Sequence, residues 1–198
     1  MVTLLLATRN RGKAEELRRV LAGVPVRILT LDRFPEIPHV KENGASFRAN
    51  AVKKAVEVSK RTILPVLADD SGLEVKVLGG RPGLRSARFA GPAQDSGANN
   101  AKLLRSMAGV PPSRREARFV CWLALAVGGR LIRTFQGSCP GTIALQPSGR
   151  NGFGYDPLFI PKGYRETMAM MASRKKDGLS HRGRALAQLK AWFKTNLS

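Results

Sequence analysis

A chain of 198 residues with 43% apolar side chains is long enough to bury most of its surface in one domain, at most two lobes sharing a core. No window reaches the roughly 18 uncharged apolar residues of a membrane span, and Arg9, Arg11 and Lys13 follow the first apolar run too soon for a signal-peptide core, so a soluble, cytoplasmic protein is expected. The 34 Lys and Arg against 14 Asp and Glu give a net charge of +20, but successive quarters of the chain carry nine, eight, eight and nine basic residues, which speaks against a nucleic-acid-binding tail and for a general pull on anions.

In chain order, Val2 to Ala7 reads as a buried strand and Gly12 to Ala22 as a helix with Leu17, Val20 and Leu21 on one face. Pro25, Pro35 and Pro38 mark an irregular segment. Phe47 to Lys60 follows as a helix capped by Ser46, with Phe47, Ala51, Ala55 and Val58 inward. Leu64 to Ala68 is a strand that ends in Asp69 and Asp70; Leu73 to Leu78 is a second run, followed by the turn-rich GGRPG. A helix is predicted from about Asn99 to Met107, ended by Pro111 and Pro112. Arg118 to Val127 and Leu131 to Gly137 flank the hairpin signal Gly128-Gly129. The Gly- and Pro-rich stretch from Cys139 to Gly163 reads as a functional loop, and Ser180 can cap a last helix striped by Ala185, Leu186, Leu189, Trp192 and Phe193. This order of elements implies an α/β domain with a partly antiparallel sheet. Cys121 and Cys139 lack C-x-x-C spacing and read as buried reduced thiols.

Four stretches can carry chemistry. Thr8-Arg9-Asn10-Arg11-Gly12-Lys13 joins a strand to a helix start, a place that suits a phosphate, with Asn10 and Lys13 as extra donors; the alternative is an ordinary capped turn. The spacing excludes a P-loop. Asp69-Asp70-Ser71-Gly72 sets two adjacent carboxylates where acids are scarce. Alternation along an extended chain turns one toward a ligand and the other toward structural hydrogen bonds, and a carboxylate beside phosphates suits Mg²⁺; the alternative is an Asx turn closing the strand. In Asn151-Gly152-Phe153-Gly154-Tyr155-Asp156-Pro157 a flat base can stack on Phe153, or the aromatics can plug the core. Ser180-His181-Arg182 is either a solvated helix start or a pair of donors aimed at a ligand carbonyl.

Taken together, LLLATRNRGKAEEL, ENGASFRANAVKKA, LADDSGLEVKVLGGRPGLRSARFAG, RFVCWLALA, GSCPGTI, NGFGYDPLF and LSHRGRAL resemble the noncanonical purine nucleoside triphosphate pyrophosphatases, the inosine triphosphate or XTP/dITP pyrophosphatases, over almost the whole chain. The resemblance implies a single ITPase-like domain over 1–198: an elongated, two-lobed α/β fold with a long mixed β-sheet and a deep central cleft, assembled as a homodimer. It also implies Mg²⁺-dependent hydrolysis of ITP, dITP and XTP to the monophosphate and pyrophosphate, which cleanses the nucleotide pool. Carried over by position, Thr8, Arg9, Asn10, Arg11, Gly12 and Lys13 would hold the phosphates, Asp70 would bind Mg²⁺ and assist the attacking water, and Ser71 would touch substrate. Phe153, Gly154, Tyr155, Asp156, Lys176, His181 and Arg182 would bind the nucleotide and recognise its base. Donors from Arg182 favour a 6-oxo purine over adenine, whose 6-amino group is itself a donor.

Two positions depart from the family pattern. Glu is usual where this chain has Ala49, in the F-x-E-N-A segment, and Met170, in the segment resembling T-F-A-E-M. With Ser46 as N-cap, a Glu at 49 would complete a capping box. The family's acid before this helix is matched by Glu42, the second Mg²⁺ ligand expected here. These losses and the charge motivate a rival reading, a metal-impaired homologue that binds polyanions or nucleic acid; a pyrophosphatase for pyrimidine or 7-methylguanosine triphosphates is a nearer rival.

Overall fold

The structure, a computed structural model, describes residues 2–196. Strand β1 (Val2–Leu6) pairs in parallel with β2 (Val26–Thr30), Val2 opposite Val26 and Leu6 opposite Thr30, and on its other edge with β3 (Val66–Val75), Leu5 opposite Val66. A strand between two parallel neighbours is covered on both faces, which is why Leu4, Leu5 and Leu6 are all apolar. Beyond β3 come β4 (Glu116–Val127), β5 (Arg130–Ile143) and the short β6 (Phe159–Pro161), antiparallel to β5, so the six-stranded sheet has the order β2-β1-β3-β4-β5-β6. Gly128 and Gly129 both take positive φ, 54° and 81°, as a two-residue hairpin of this kind requires.

The helices begin at polar caps. Asn10 caps α1 (Arg11–Val20), Ser46 caps α2 (Phe47–Ser59) and Asp95 caps α3 (Ser96–Ser106); in each the side-chain oxygen accepts from the backbone N–H three residues on. Helix α4 (Ser173–Leu179) runs by way of Ser180 into α5 (His181–Asn196), where Ala185, Leu186, Leu189 and Phe193 are buried as their spacing predicts.

The chain divides into two compact units, one formed by residues up to 70, 121–137 and from 182 onward, the other by 71–120 and 138–181. In the first unit two apolar layers flank the strands. Leu4, Leu6, Leu67, Cys121 and Leu123 pack with Leu17 and Leu21 of the α1 region and Leu186 and Leu189 of α5, whereas Leu5, Ala7, Val66, Ala68 and Ala124 pack with Ala51, Ala55 and Val58 of α2. The second unit has its own core of Leu73, Val75, Leu103, Met107, Phe119, Tyr155, Leu158 and Phe159.

Several elements differ from the sequence expectation, each for a physical reason. The irregular segment after Pro25 contains β2; a Pro just before a strand costs no ladder bond. The runs 64–68 and 73–78 join in one continuous strand, Val66–Val75, with Lys76–Leu78 forming a 3-10 turn after it, so Asp69 and Asp70 lie mid-strand and close no turn. Helix α3 starts three residues early because Asp95, not a residue near Asn99, is its cap. The stretch after Cys139 continues β5 to Ile143, with Cys139 and Ile143 directed into the core, before any loop begins, and β6 and α4 lie within or beyond that loop. Both cysteines are free and buried, and burial pushes the Cys121 thiol up to about 12.

Candidate active site

Alternation along β3 separates its two adjacent acids. Leu67 belongs to the layer shared with α1 and α5, so Asp69, two residues on, points to that side; Val66 and Ala68 belong to the α2 layer, and Asp70 points there. On the first side, Asp69 Oδ2 accepts from Lys13 Nζ of α1 at 3.1 Å and from Arg182 Nε and Nη2 of α5 at 3.3 and 3.2 Å. Arg182 Nη1 pairs with Glu16. Asp69 is 3% exposed and Arg182 2%. Burial alone would push the Asp69 carboxyl up, but Lys13, Arg182 and Lys54 overcome it and hold the group well below the usual carboxylate range. Burial would likewise discharge Arg182, and the two acids beside it hold its pKa above the ordinary value.

The α2 side is different. Asp70 is buried as well, and its Oδ2 accepts from the neutral amide Nδ2 of Asn50 at 2.9 Å. Asn50 is oriented in turn because its Oδ1 accepts from Gly44 N at 2.7 Å. Burial lifts Asp70 to about 6; the Asn50 hydrogen bond opposes the lift and the nearby charge of Glu42 adds to it. Glu42 is paired with Lys54 of α2, and Lys54, although buried, keeps a raised pKa because Asp69, Glu42 and Asp70 surround it.

The Thr8–Lys13 turn combines both readings open for it. Asn10 Oδ1 is spent as the helix cap on Lys13 N at 3.0 Å, and Thr8 Oγ1 accepts from Asn10 N at 3.1 Å. Arg9 Nη2 donates to Ile37 O at 3.0 Å, which anchors the turn. The N-terminus of α1 remains as the anion-favouring feature of this turn, with the Lys13 ammonium beside it already paired with Asp69.

In the second unit, the carboxylate of Asp156 accepts from Phe153 N at 2.8 Å and Lys176 Nζ at 2.7 Å, and that ammonium stands 5.0 Å from the centre of the Phe153 ring. Gly152 sits at φ 79°, and a Cβ there would meet Asp156 Oδ2 at 2.0 Å, so the loop closes only around glycine. Gly154 is half-buried, and Ser71 lies half-buried in β3. His181 stacks on Phe119 with ring centres 4.7 Å apart and planes within 10°.

Two expected ligand contacts change character. Arg182, expected to offer its donors to a base, has Nε, Nη1 and Nη2 all engaged by Asp69 and Glu16, two buried acids that flank its guanidinium. Tyr155 is plugged into the second core with its hydroxyl on Ser86 O at 2.9 Å, so of the two loop aromatics only Phe153 is left partly exposed. The residues that sequence reasoning passed over are Glu16, Asn50 and Lys54. Glu16 is three residues beyond Lys13 and so shares a helix face with a predicted site residue, a spacing readable in advance, whereas Asn50 and Lys54 share a face of α2 on which the sequence reading places no site residue.

Among the described residues no three of His, Cys, Asp and Glu gather into a metal cluster. Glu42 lies near enough to Asp70 for its charge to add to the lift of the Asp70 pKa, a repulsion that a divalent cation between them would relieve. Two carboxylates fit an ion that takes its remaining ligands from substrate phosphates and water. Ala49, exposed, donates its N–H to Ser46 Oγ at 3.1 Å, the position a capping-box Glu would occupy. Met170 is 51% exposed, with its sulfur 3.1 Å from Ser148 Oγ.

The Ham1 family model matches residues 4–192. The chain is 49% identical over 190 residues to the dITP/XTP pyrophosphatase of Syntrophobacter fumaroxidans, covering 96% of this chain and 81% of that one. Among solved structures it is similar to a HAM1 protein from Coxiella burnetii, at 34% identity and a TM-score of 0.89 over 98% and 100% of the two chains. It is likewise similar to the nucleoside-triphosphatase / dITP/XTP pyrophosphatase of Mycobacterium abscessus, at 46% identity and a TM-score of 0.75 over 95% and 97%. The chain belongs to the Ham1 family.

Proposed function

We propose that the protein is a nucleoside triphosphate pyrophosphatase that hydrolyses deaminated purine nucleotides, ITP, dITP and XTP, to the monophosphate and pyrophosphate. The observation that supports this best is the contrast between the paired acids: Asp69 neutralised by Lys13 and Arg182, Asp70 held by an amide and lifted to about 6. A carboxylate with that pKa is charged at neutral pH yet basic enough to take a proton from water.

In this reading the start of α1, with Lys13 and the Thr8–Gly12 turn, binds the phosphates, and Asp70 with Glu42 holds Mg²⁺. The ion, when bound, polarises a phosphoryl oxygen and lowers the pKa of water. Asp70 accepts a proton as a water oxygen bonds to the α-phosphorus; the bond from that phosphorus to the αβ-bridging oxygen breaks, and the electron pair leaves with pyrophosphate. Asn50 keeps the Asp70 carboxylate oriented, and Lys54 pairs with Glu42 and holds it in place. Ser71, Phe153, Gly154, Asp156, Lys176 and His181 form the nucleoside side, with Arg182 fixing Asp69 and the position of α5. The protein acts as a homodimer in the cytoplasm; no helix among the described residues is long and apolar enough to cross a membrane.

The test is pyrophosphate release from ITP and from ATP, each with and without Mg²⁺, for the native chain and for Asp70→Asn. Fast Mg²⁺-dependent release from ITP, slow release from ATP and loss in the variant are expected. No release from ITP at millimolar Mg²⁺ would mean that Ala49 and Met170 mark a disabled site.

A further inference from the structure

The PGLRSARFAG segment is part of the stretches that carry the family resemblance, and the proposed chemistry uses neither it nor the adjoining helix α3. Both bear on the loop around Phe153. Two consecutive asparagines of α3, Asn99 and Asn100, are buried. Asn99 grips the 3-10 segment Gly83–Arg88 and the turn just beyond it, donating to Ala87 O at 3.0 Å and accepting from Ala90 N at 2.6 Å. Asn100 Nδ2 donates to Gly154 O at 3.0 Å. Its Oδ1 is buried and meets no donor among the described residues, and since a carbonyl only accepts, the amide must present nitrogen to Gly154. From the other side, Tyr155 donates to Ser86 O at 2.9 Å, while Ser86 Oγ accepts from Leu73 N at 2.9 Å and donates to Gly83 O at 2.6 Å.

The effect of this frame shows in the loop's polar inventory. All three carbonyls from 153 to 155 accept within the protein: Phe153 O from Asp156 N at 3.4 Å, Gly154 O from Asn100, and Tyr155 O from Leu158 N at 2.9 Å and Phe159 N at 3.1 Å. The N–H groups of Gly154 and Tyr155 donate to no acceptor among the described residues. The loop therefore directs its carbonyls at protein donors and keeps two N–H donors uncommitted among the described residues. A purine with a 6-oxo group brings an acceptor to such a surface; adenine brings an amino donor, which a Gly154 carbonyl turned away from α3 would accept.

We propose that Asn100 is a positioning residue for base selectivity: by holding the Gly154 carbonyl toward α3 it turns the opposite edge of the same planar peptide, the Tyr155 N–H, away from α3 as a donor for an oxo purine. The inference rests on the proposed function and deepens its base-recognition half. It assigns selectivity to the loop frame, where Arg182, committed to Asp69 and Glu16, is poorly placed to supply it.

The experiment compares the native enzyme with Asn100→Asp, which keeps shape and loses the donor, Asn100→Leu, which keeps volume, and Asn99→Asp, which loosens the frame and leaves the Gly154 bond in place. kcat and KM for ITP and ATP are measured together with calorimetric binding of IMP and AMP and with Tm. Both Asn100 variants are expected to raise KM for ITP with kcat within about threefold, and to cut the ITP-over-ATP ratio of kcat/KM by about tenfold or more, with IMP and AMP affinities converging likewise. Asn99→Asp is expected to lower Tm with that ratio kept. Native-like ratios in a folded Asn100 variant, or an equal loss in Asn99→Asp, would overturn the inference. A native enzyme that treats ITP and ATP alike would instead sink the proposed substrate, a failure visible before any variant is made.

Discussion

The two faces of β3 carry the same side chain one residue apart and treat it in opposite ways. Toward α1 and α5, Asp69 meets Lys13 and Arg182 and its carboxyl is held far down; toward α2, Asp70 meets the neutral amide of Asn50 and rises to about 6. The difference is set by which helix lies over each face, because desolvation acts on both and only one receives cations enough to overcome it. An acid that is fully compensated is a structural member. An acid left short of compensation is available to a metal ion or a proton, and this is the physical ground for giving Asp70 the chemistry and Asp69 the architecture.

The largest way to break the comparison is to exchange the roles by mutation. Asp70→Asn is expected to reduce kcat/KM for ITP by about a thousandfold or more, while stability stays level or rises. The sign follows from linkage. Asp70 sits at about 6 in the fold against an ordinary 3.8, so between those values the folded chain holds a proton that the unfolded chain has released, and stability falls as pH rises through that window. Removing the ionisable group recovers on the order of 2 kcal/mol above pH 6, read from urea unfolding at pH 5 and pH 8. Activity limited by Asp70 should likewise rise with pH, with a midpoint that falls below about 6 as Mg²⁺ is raised.

Asp69→Asn should do the reverse, leaving Lys13 and Arg182 underbalanced in a buried place at a cost of about 3 kcal/mol in unfolding free energy. Because Asp69 is held below its ordinary 3.8, its contribution is complete above that value and is lost as the pH falls below it. If Asp69→Asn were as stable as the native chain, the structural role assigned to this face would fail.

How much of this was legible beforehand differs along the chain. The buried β1, the Ser46 cap, the α2 face and the α5 stripe follow from periodicity and side-chain chemistry that act within a few residues. Alternation announced that the two acids would part, but not which would meet cations, since Lys13 and Arg182 come from elements 56 and 113 positions away in sequence. The continuity of β3 through Asp69-Asp70-Ser71-Gly72 was hidden for the same reason: four residues with poor strand propensity stay extended because helices on both faces satisfy the acids. Gly and Pro likewise disguised β5, where core contacts of Cys139 and Ile143 outweigh local preference.

Smaller changes sharpen the contrast. Glu16→Gln keeps a hydrogen-bond partner for Arg182 and removes a charge, so a loss of about 1 to 2 kcal/mol in stability is expected, with the ITP rate changed less than by any Asp70 variant. Ala49→Glu acts on the α2 side: with Ser46 already capping, a Glu at 49 completes the capping box and adds about 1 kcal/mol or less to stability. The same carboxylate should lower the Mg²⁺ concentration needed for half-maximal rate, and an unchanged Mg²⁺ requirement would show that position 49 acts through the helix cap alone.

The most direct measurement of the central claim is a carbon-13 NMR titration of the Asp69 and Asp70 side-chain carboxyls, with and without Mg²⁺. The account predicts that Asp70 titrates near 6 in the metal-free protein and moves down when Mg²⁺ is added, while Asp69 stays ionised throughout the range in which the protein is folded. Asp70 titrating at an ordinary carboxylate value and indifferent to Mg²⁺, or Mg²⁺ acting on Asp69 instead, would contradict it.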